Sequence, residues 1–312
     1  MYYPPIFWKM KARIALRQHW QTALLIALVV SLPSLLVQGI SSFTGNSLLI
    51  RLQELVYGSL SSSGTVNEEA LRTGLETIQN TPQIWIMQGL NLLIWLLTPF
   101  LALGQYNWML MRLRGQEDPG VSAVFSRLSV FLKGIGLRLM VSLRILLYLL
   151  PGIAVYALSF VPLFTADRSS RISVLSSANT SLSLVPVSLI VIAVLGIIGA
   201  LTYLPANILL ADQPDSRIGE VLRHSRELTR GRRGRLFFLL LSFLPLAMVR
   251  TFLITFVSAL GTIPGLMVEL LTSLAMNTYV YVTLCACVRT LLGEKDPPEK
   301  EAESLSEEEP LQ

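Results

Sequence analysis

Residues 217–260 read RIGEVLRHSRELTRGRRGRLFFLLLSFLPLAMVRTFLITFVSAL, a basic segment followed by an apolar run. Seven arginines lie between positions 217 and 235, whereas residues 236–260 carry one charged side chain, Arg250. A helix needs roughly 20 mostly apolar residues to cross a bilayer core about 30 Å thick. The apolar run is therefore long enough to span a membrane, and arginines stand at its start.

The chain contains five more apolar runs of this kind. Hydrophobic residues make up 52% of the sequence and charged residues 14%, whereas soluble domains contain roughly 25% charged residues. We therefore predict an all-α, polytopic membrane helical bundle over residues 1–293, with six transmembrane helices and amphipathic cytosolic interfacial helices. The predicted spans are Thr22–Gly39, Ile84–Met111, Gly134–Phe164, Leu182–Leu210, Leu236–Leu260 and Leu266–Leu292.

Lysine and arginine are distributed unevenly among the segments that the spans separate. The four odd-numbered segments hold 18 of these residues when Arg289 is counted with the C-terminal segment, and the three even-numbered segments hold 4. In membrane proteins the cytoplasmic loops carry the excess of lysine and arginine. The asymmetry predicts that both termini lie in the cytosol.

Basic, amphipathic stretches precede the first, third and fifth spans, at residues 7–20, 121–134 and 217–235. In the third stretch, one helical face collects the residues Ile218, Val221, Leu222, Ser225 and Leu228. Each lysine or arginine close to an anionic leaflet contributes about 1 kcal/mol to membrane binding. We therefore expect anionic lipid headgroups of the inner leaflet as partners. No nucleic-acid motif accompanies the arginines, so no nucleic acid is expected.

Residues 294–312 form an acidic tail, EKDPPEKEAESLSEEEPLQ, with eight acidic residues and two lysines. Its Pro- and Glu-rich composition predicts a disordered cytosolic segment. Docking of the tail on the basic loop is the alternative to a solvated appendage, which we prefer. The tail contributes a charge of −6, so the other residues carry +11 within the overall +5. We attribute this basic balance to membrane topology.

The block YLPANILLADQPDSRIGEVLRHSRELTRGRRGRLFFLLLSF, residues 203–243, resembles the signature region of a bacterial integral-membrane family, domain of unknown function 975. The likeness includes a proline-bearing acidic turn, an S-x-x-L-x-x-G helix (Ser225, Leu228 and Gly231) and a Leu-Phe-rich span. The chain departs from the family pattern at Gly196, which lies in Leu-Gly-Ile where Pro-Gly-Ile is usual, and at Pro245, near a usual tryptophan. The resemblance implies a six-span, multi-pass protein of the bacterial cytoplasmic membrane, and it supplies no activity.

Residue types that carry enzyme chemistry are scarce. The two histidines, His19 and His224, are far apart in sequence, and no zinc-protease, Walker or G-x-S-x-G motif is present. Cys285 and Cys287 lie about 200° apart around a helix, which favours buried apolar packing over joint metal binding. We expect a non-enzymatic protein with no cofactor, no catalytic residue and no metal site.

Three charged residues inside spans form a candidate intramembrane polar site: Arg144, Arg250 and Glu269. A charge at mid-bilayer costs at least about 2.5 to 3.5 kcal/mol, and Arg144 lies about 15 Å along its span, near the midplane. We hypothesise that Arg250 pairs with Glu269, and that Arg144 faces polar residues such as Asn91 or Asn207. Such a site either binds an anion or headgroup, or holds helices together.

Two functions fit these patterns. The preferred one is a membrane scaffold or regulatory partner that acts on a membrane protein through its basic cytosolic loop. Its candidate interaction surface comprises Ser225, Leu228, Arg230, Gly231, Arg232 and Arg233. The alternative is a permease or exporter subunit for a lipid-like or anionic solute, which would use the buried charges and the prolines that interrupt five spans.

Overall fold

The computed structural model describes residues 4–17, 19–37, 72, 82–158 and 179–293. The acidic tail lies outside these residues. In the described part the chain is helical and contains no strand. The helices are α1 (Pro5–Leu16), α2 (Trp20–Val37), α3 (Pro82–Leu113), α4 (Phe131–Leu158), α5 (Asn179–Tyr203), α6 (Ala206–Asp212), α7 (Ile218–Thr229), α8 (Arg233–Leu241), α9 (Leu244–Ser258) and α10 (Thr262–Leu292). Two short 3₁₀ helices, Gly120–Val124 and Leu128–Val130, join α3 to α4.

Within the described ranges, six helical segments are long and apolar enough to cross a membrane, which confirms the predicted all-α, polytopic architecture. They are Trp20–Val37, Trp85–Leu113, Phe131–Leu158, Pro186–Asp212, Arg233–Ser258 and Ile263–Leu292. The fourth span consists of α5 and α6, and the fifth of α8 and α9. The prolines Pro205 and Pro245 lie at these two breaks, whereas Pro99, Pro151 and Pro186 lie inside continuous helices.

Dense packing is concentrated at one end of the bundle, which we call the packed layer. It includes α1, α6, α7, α8, the start of α2, the two 3₁₀ helices and the C-terminal ends of α3 and α10, with fully buried side chains such as Trp108, Leu222 and Leu236. Arg289 on α10 donates to the backbone carbonyl of Leu113 at the end of α3. By contrast, α9 contains no buried residue. Exposed apolar side chains on such helices suit lipid, which is as apolar as leucine itself.

The three basic, amphipathic stretches form different structures. The first is α1, which buries Trp8, Ala12 and Leu16 and exposes Ile6 and Ile14 on its other side. The third forms α7, but the middle stretch forms the two 3₁₀ helices and the start of α4. Ile6 and Ile14 thus form an exposed apolar side of α1, as expected for a helix that lies between protein and lipid.

The turn after α3 is held by the carboxylate of Asp118. Its Oδ1 accepts hydrogen bonds from the Trp108 indole N–H and the Gly120 backbone N–H, both at 2.9 Å, and its Oδ2 lies 3.1 Å from Nδ1 of His19. Partial burial acts to raise the pKa of Asp118, but these hydrogen bonds, another from Thr22 and the His19 charge together lower it. Asp118 thereby ties the start of α2 to the end of α3.

We expect acid to weaken this junction. An aspartate whose pKa is lowered by folding stabilises the folded state fully above its unfolded pKa, roughly 3.9, and this contribution is lost as pH falls through the folded pKa. Asp118→Asn should therefore reduce thermal stability in detergent at pH 7, and the difference from wild type should shrink below about pH 4. If the difference in thermal stability stayed constant down to pH 3, the ionic role of Asp118 would be contradicted. Glu117→Gln, at the exposed neighbouring position, serves as the control.

Candidate functional site

Helix α7 is anchored on the break in the fourth span. Because Pro205 interrupts the helix, the backbone carbonyl of Thr202 at the end of α5 is available to other donors. It accepts hydrogen bonds from Ser225 Oγ at 2.9 Å and from Thr229 Oγ1 at 3.4 Å, and both hydroxyls are fully buried. Leu222 is buried beside them. One face of α7 is thus fixed to the bundle by hydrogen bonds and apolar packing.

The other face of α7 is polar and exposed. It carries Arg223 and Glu227, which pair at 2.9 Å one turn apart, and this hydrogen bond raises the pKa of Arg223. The first turn is closed by a hydrogen bond from the Arg217 backbone N–H to Glu220 Oε2 at 3.3 Å. The predicted periodicity of α7 therefore matches its burial, with the apolar residues turned inward.

Arginines follow on the turn from α7 to α8. The backbone passes through Gly231 with φ 75°, a left-handed conformation that glycine adopts at little cost. Arg232 Nη1 donates to the backbone carbonyl of Leu291, at 3.3 Å, near the end of α10. We call Arg226, Arg230, Arg232 and Arg233 the arginine surface; the first three are exposed and the last is half-buried.

Two residues of the predicted interaction surface do not lie on the exterior. Ser225 is fully buried against Thr202, and Leu228 is half-buried against the core around Val221 and Leu222. Ser225 is therefore not available to a partner, which corrects the prediction for this residue, and Leu228 is only partly accessible. Arg230, Gly231 and Arg232 are exposed, and Arg233 is half-buried.

Residues 6–288 match the family described as protein of unknown function DUF975. The chain belongs to this family. The resemblance inferred from residues 203–243 is thereby confirmed. No curated protein and no solved structure matches the chain. The residues of the S-x-x-L-x-x-G motif have structural roles in this protein. Ser225 donates to the end of α5, Leu228 packs against the core, and Gly231 makes the turn into α8.

The charged residues of the candidate intramembrane site are not brought together. The Cζ of Arg144 lies 5.7 Å from the ring centroid of Tyr203, a buried residue of the family-like block. Arg250 Nε donates to Thr272 Oγ1 at 3.4 Å, and no ion pair joins it to Glu269 within the described residues. Glu269 is exposed, as are Asn91 and Asn207, the partners suggested for Arg144.

Histidines and cysteines do not assemble into a site. His19 lies beside Asp118, whereas His224 is exposed on α7. Cys285 and Cys287 are unbridged and buried inside the packed layer. Within the described ranges no group of three potential metal ligands occurs.

Lys9 is a positioning residue that sequence reasoning missed. Its Nζ donates to the backbone carbonyl of Ser242 at 2.8 Å and lies 4.3 Å from the ring centroid of Phe243, at the break in the fifth span. Tyr279 Oη donates to the Lys9 carbonyl at 3.5 Å. Burial, and then the charge of Arg13, lower the pKa of Lys9. Lys9 thus fixes α1 to the fifth span, and the only sequence signal for this contact was Pro245, which frees a nearby carbonyl.

Proposed function

We propose that this chain is a non-enzymatic scaffold or regulatory partner in a bacterial cytoplasmic membrane and that it acts through the arginine surface. The supporting observation is the anchoring of α7 by Ser225 and Thr229 on Thr202, which holds the exposed arginines in a fixed position. A preorganised surface loses less conformational entropy when it binds a partner. Family membership is compatible with this proposal but names no activity.

The surroundings of the arginine surface favour a partner at the membrane face. Helix α8 continues directly from it and exposes Phe237, Phe238 and Leu241, which are apolar side chains suited to lipid. Arginines at the start of such a helix lie at headgroup level, where each contributes about 1 kcal/mol of attraction to an anionic leaflet. From the excess of basic residues at this end of the bundle we infer that both termini lie in the cytosol. Anionic lipids of the inner leaflet are therefore the expected neighbours of a membrane-protein partner.

The permease alternative gains less support from the geometry. It requires Arg144, Arg250 and Glu269 to line one polar path, yet Arg144 contacts Tyr203 and Arg250 contacts Thr272. Proline-broken helices serve transport when the freed backbone groups face a substrate path. Here the carbonyl freed near Pro205 is occupied by Ser225 and Thr229. The breaks thus act as attachment points for α7 and α1.

Photo-crosslinking in native membranes tests the proposal. A photo-reactive amino acid in place of Arg226 should give an adduct with one defined membrane protein, identified by mass spectrometry. Arg230→Gln combined with Arg232→Gln should reduce that adduct severalfold, because each exposed ion pair with an acidic group of the partner contributes about 0.2 to 1 kcal/mol.

Two controls separate this effect from a general loss of positive charge. The double variant Arg13→Gln, Arg17→Gln removes two exposed cations from another part of the molecule and should leave the adduct unchanged. The photo-reactive residue placed at exposed Gln116 should not capture the same protein. Lipid-only adducts at position 226, or equal loss in both double variants, would overturn the scaffold proposal.

A further inference from the structure

The end of the last helix lies directly beside the arginine surface. Arg232 Nη1 donates to the Leu291 carbonyl, and α10 ends at Leu292. The next residue, Gly293, has φ 77° and closes the helix in the left-handed conformation. The acidic tail, residues 294–312, therefore starts at the edge of the arginine surface.

The two segments have opposite charge. Residues 215–235 contain seven arginines and three acidic residues, whereas the tail contains eight acidic residues and two lysines. In the part of the chain that the structure describes, Glu227 already pairs with Arg223, while Arg226 and Arg230 have no acidic partner. Both of these arginines are exposed. The surface is thus a complement for carboxylates, which arginine binds through paired hydrogen bonds.

The tail is long enough to cover this surface. Helix α7 has 12 residues and is about 18 Å long. An extended chain covers about 3.3 Å per residue, so the glutamates at 307–309 can reach any point of α7 from Gly293. Covalent attachment gives such a segment an effective concentration of the order of millimolar. A set of carboxylate–arginine contacts with a combined Kd of about 1 mM, or about 4 kcal/mol, is then about half populated.

We infer that the acidic tail binds the arginine surface of its own chain and competes there with anionic partners. The inference deepens the proposed function, and it rests on that proposal only in treating the arginine surface as an interaction site. Charged contacts at an exposed surface are screened by salt, with a Debye length of about 8 Å at physiological ionic strength. Tail binding is therefore strongest at low salt and in a membrane of neutral lipids, and anionic lipids displace it.

Cross-linking within the full chain tests the inference. Single cysteines are introduced by His224→Cys on the exposed side of α7 and Ser306→Cys in the tail, and the protein is placed in phosphatidylcholine nanodiscs. The native Cys285 and Cys287 are fully buried and stay unreactive. A short bis-maleimide should join positions 224 and 306 at least about fivefold faster than it joins 306 to Ser122→Cys, which corresponds to about 1 kcal/mol. Ser122 is exposed on the first 3₁₀ helix and serves as the matched site.

Charge exchange shows whether attraction causes the difference. The faster cross-linking at position 224 should be abolished by the tail substitutions Glu307→Lys, Glu308→Lys and Glu309→Lys together. It should also be abolished by the α7 substitutions Arg226→Glu and Arg230→Glu together. A variant that carries both sets should regain the faster cross-linking. Equal rates at positions 224 and 122, or a rate that ignores charge reversal, would overturn the inference. Cross-linking inside one chain needs no partner, so this result is independent of whether a membrane-protein adduct is found at position 226.

Discussion

Gly104→Ala should prevent stable folding. An added Cβ would lie 2.0 Å from the backbone oxygen of Val124 and 2.6 Å from its backbone carbon and Cα. These atoms belong to the backbone of the first 3₁₀ helix, which cannot move aside as the end of a flexible side chain can. Over-packing of this kind costs typically 1 to 3 kcal/mol, and a clash with backbone in a tightly packed region should exceed about 3 kcal/mol. The expected result is loss of monodisperse protein after detergent extraction.

Gly89→Ala is the matched control because Gly89 lies on the same helix, α3, and no described residue lies within 4 Å of an added Cβ. Alanine is favoured over glycine by up to about 1 kcal/mol inside a helix. This variant should therefore be as stable as wild type or slightly more so, as measured by fluorescence-detected chromatography after heating. Similar behaviour of the two variants would mean that α3 does not pack against the 3₁₀ helix as the structure shows.

The spans were predictable from the sequence, and prolines suggested interruptions in five of them, but the sequence did not show that the helix breaks only at Pro205 and Pro245 among the described residues. Length and apolar composition alone require a spanning helix, whatever surrounds it. A proline leaves a backbone carbonyl in the preceding turn without its helical donor. Whether the helix breaks there depends on whether another group donates a hydrogen bond to the freed carbonyls. For Thr202 the donors come from α7, 23 and 27 residues later, and for Ser242 the donor is Lys9, 233 residues away. No local pattern contains that information.

The candidate site was likewise predictable from the sequence only in part. The periodicity of α7 predicted its inward face, because apolar residues recur at helical spacing. Ser225 and Leu228 belong to the S-x-x-L-x-x-G motif, which suggested a contact surface. In the structure both residues make contacts inside the protein. Arg250 and Glu269 lie on neighbouring helices as predicted. Arg250 instead donates a hydrogen bond to Thr272, a pairing that depends on how α9 packs on α10 and that the local sequence does not encode.

Trp8→Ala should destabilise the whole bundle, although Trp8 lies in a helix outside the six spans. Its side chain is 2% exposed within the core that α1 shares with α3 and α10. Replacement of a buried tryptophan by alanine costs about 3 to 5 kcal/mol, because the lost packing leaves a cavity. We expect a lower unfolding midpoint in a denaturing-detergent titration. Ile6→Ala on the opposite side of α1, where the side chain is 74% exposed, should change the free energy of unfolding by less than about 0.5 kcal/mol.

Trp8→Phe separates packing from hydrogen bonding at this position. The indole N–H of Trp8 is buried and has no hydrogen-bond partner among the described residues. A buried donor without a partner already carries its desolvation cost in the folded state, roughly 1 to 3 kcal/mol. Phenylalanine removes that cost while it retains most of the apolar volume, so this variant should lie within about 1 kcal/mol of wild type. If Trp8→Ala were as mild as Ile6→Ala, α1 would be a peripheral helix resting on the membrane, and the Lys9 contact with the fifth span would lose its structural meaning.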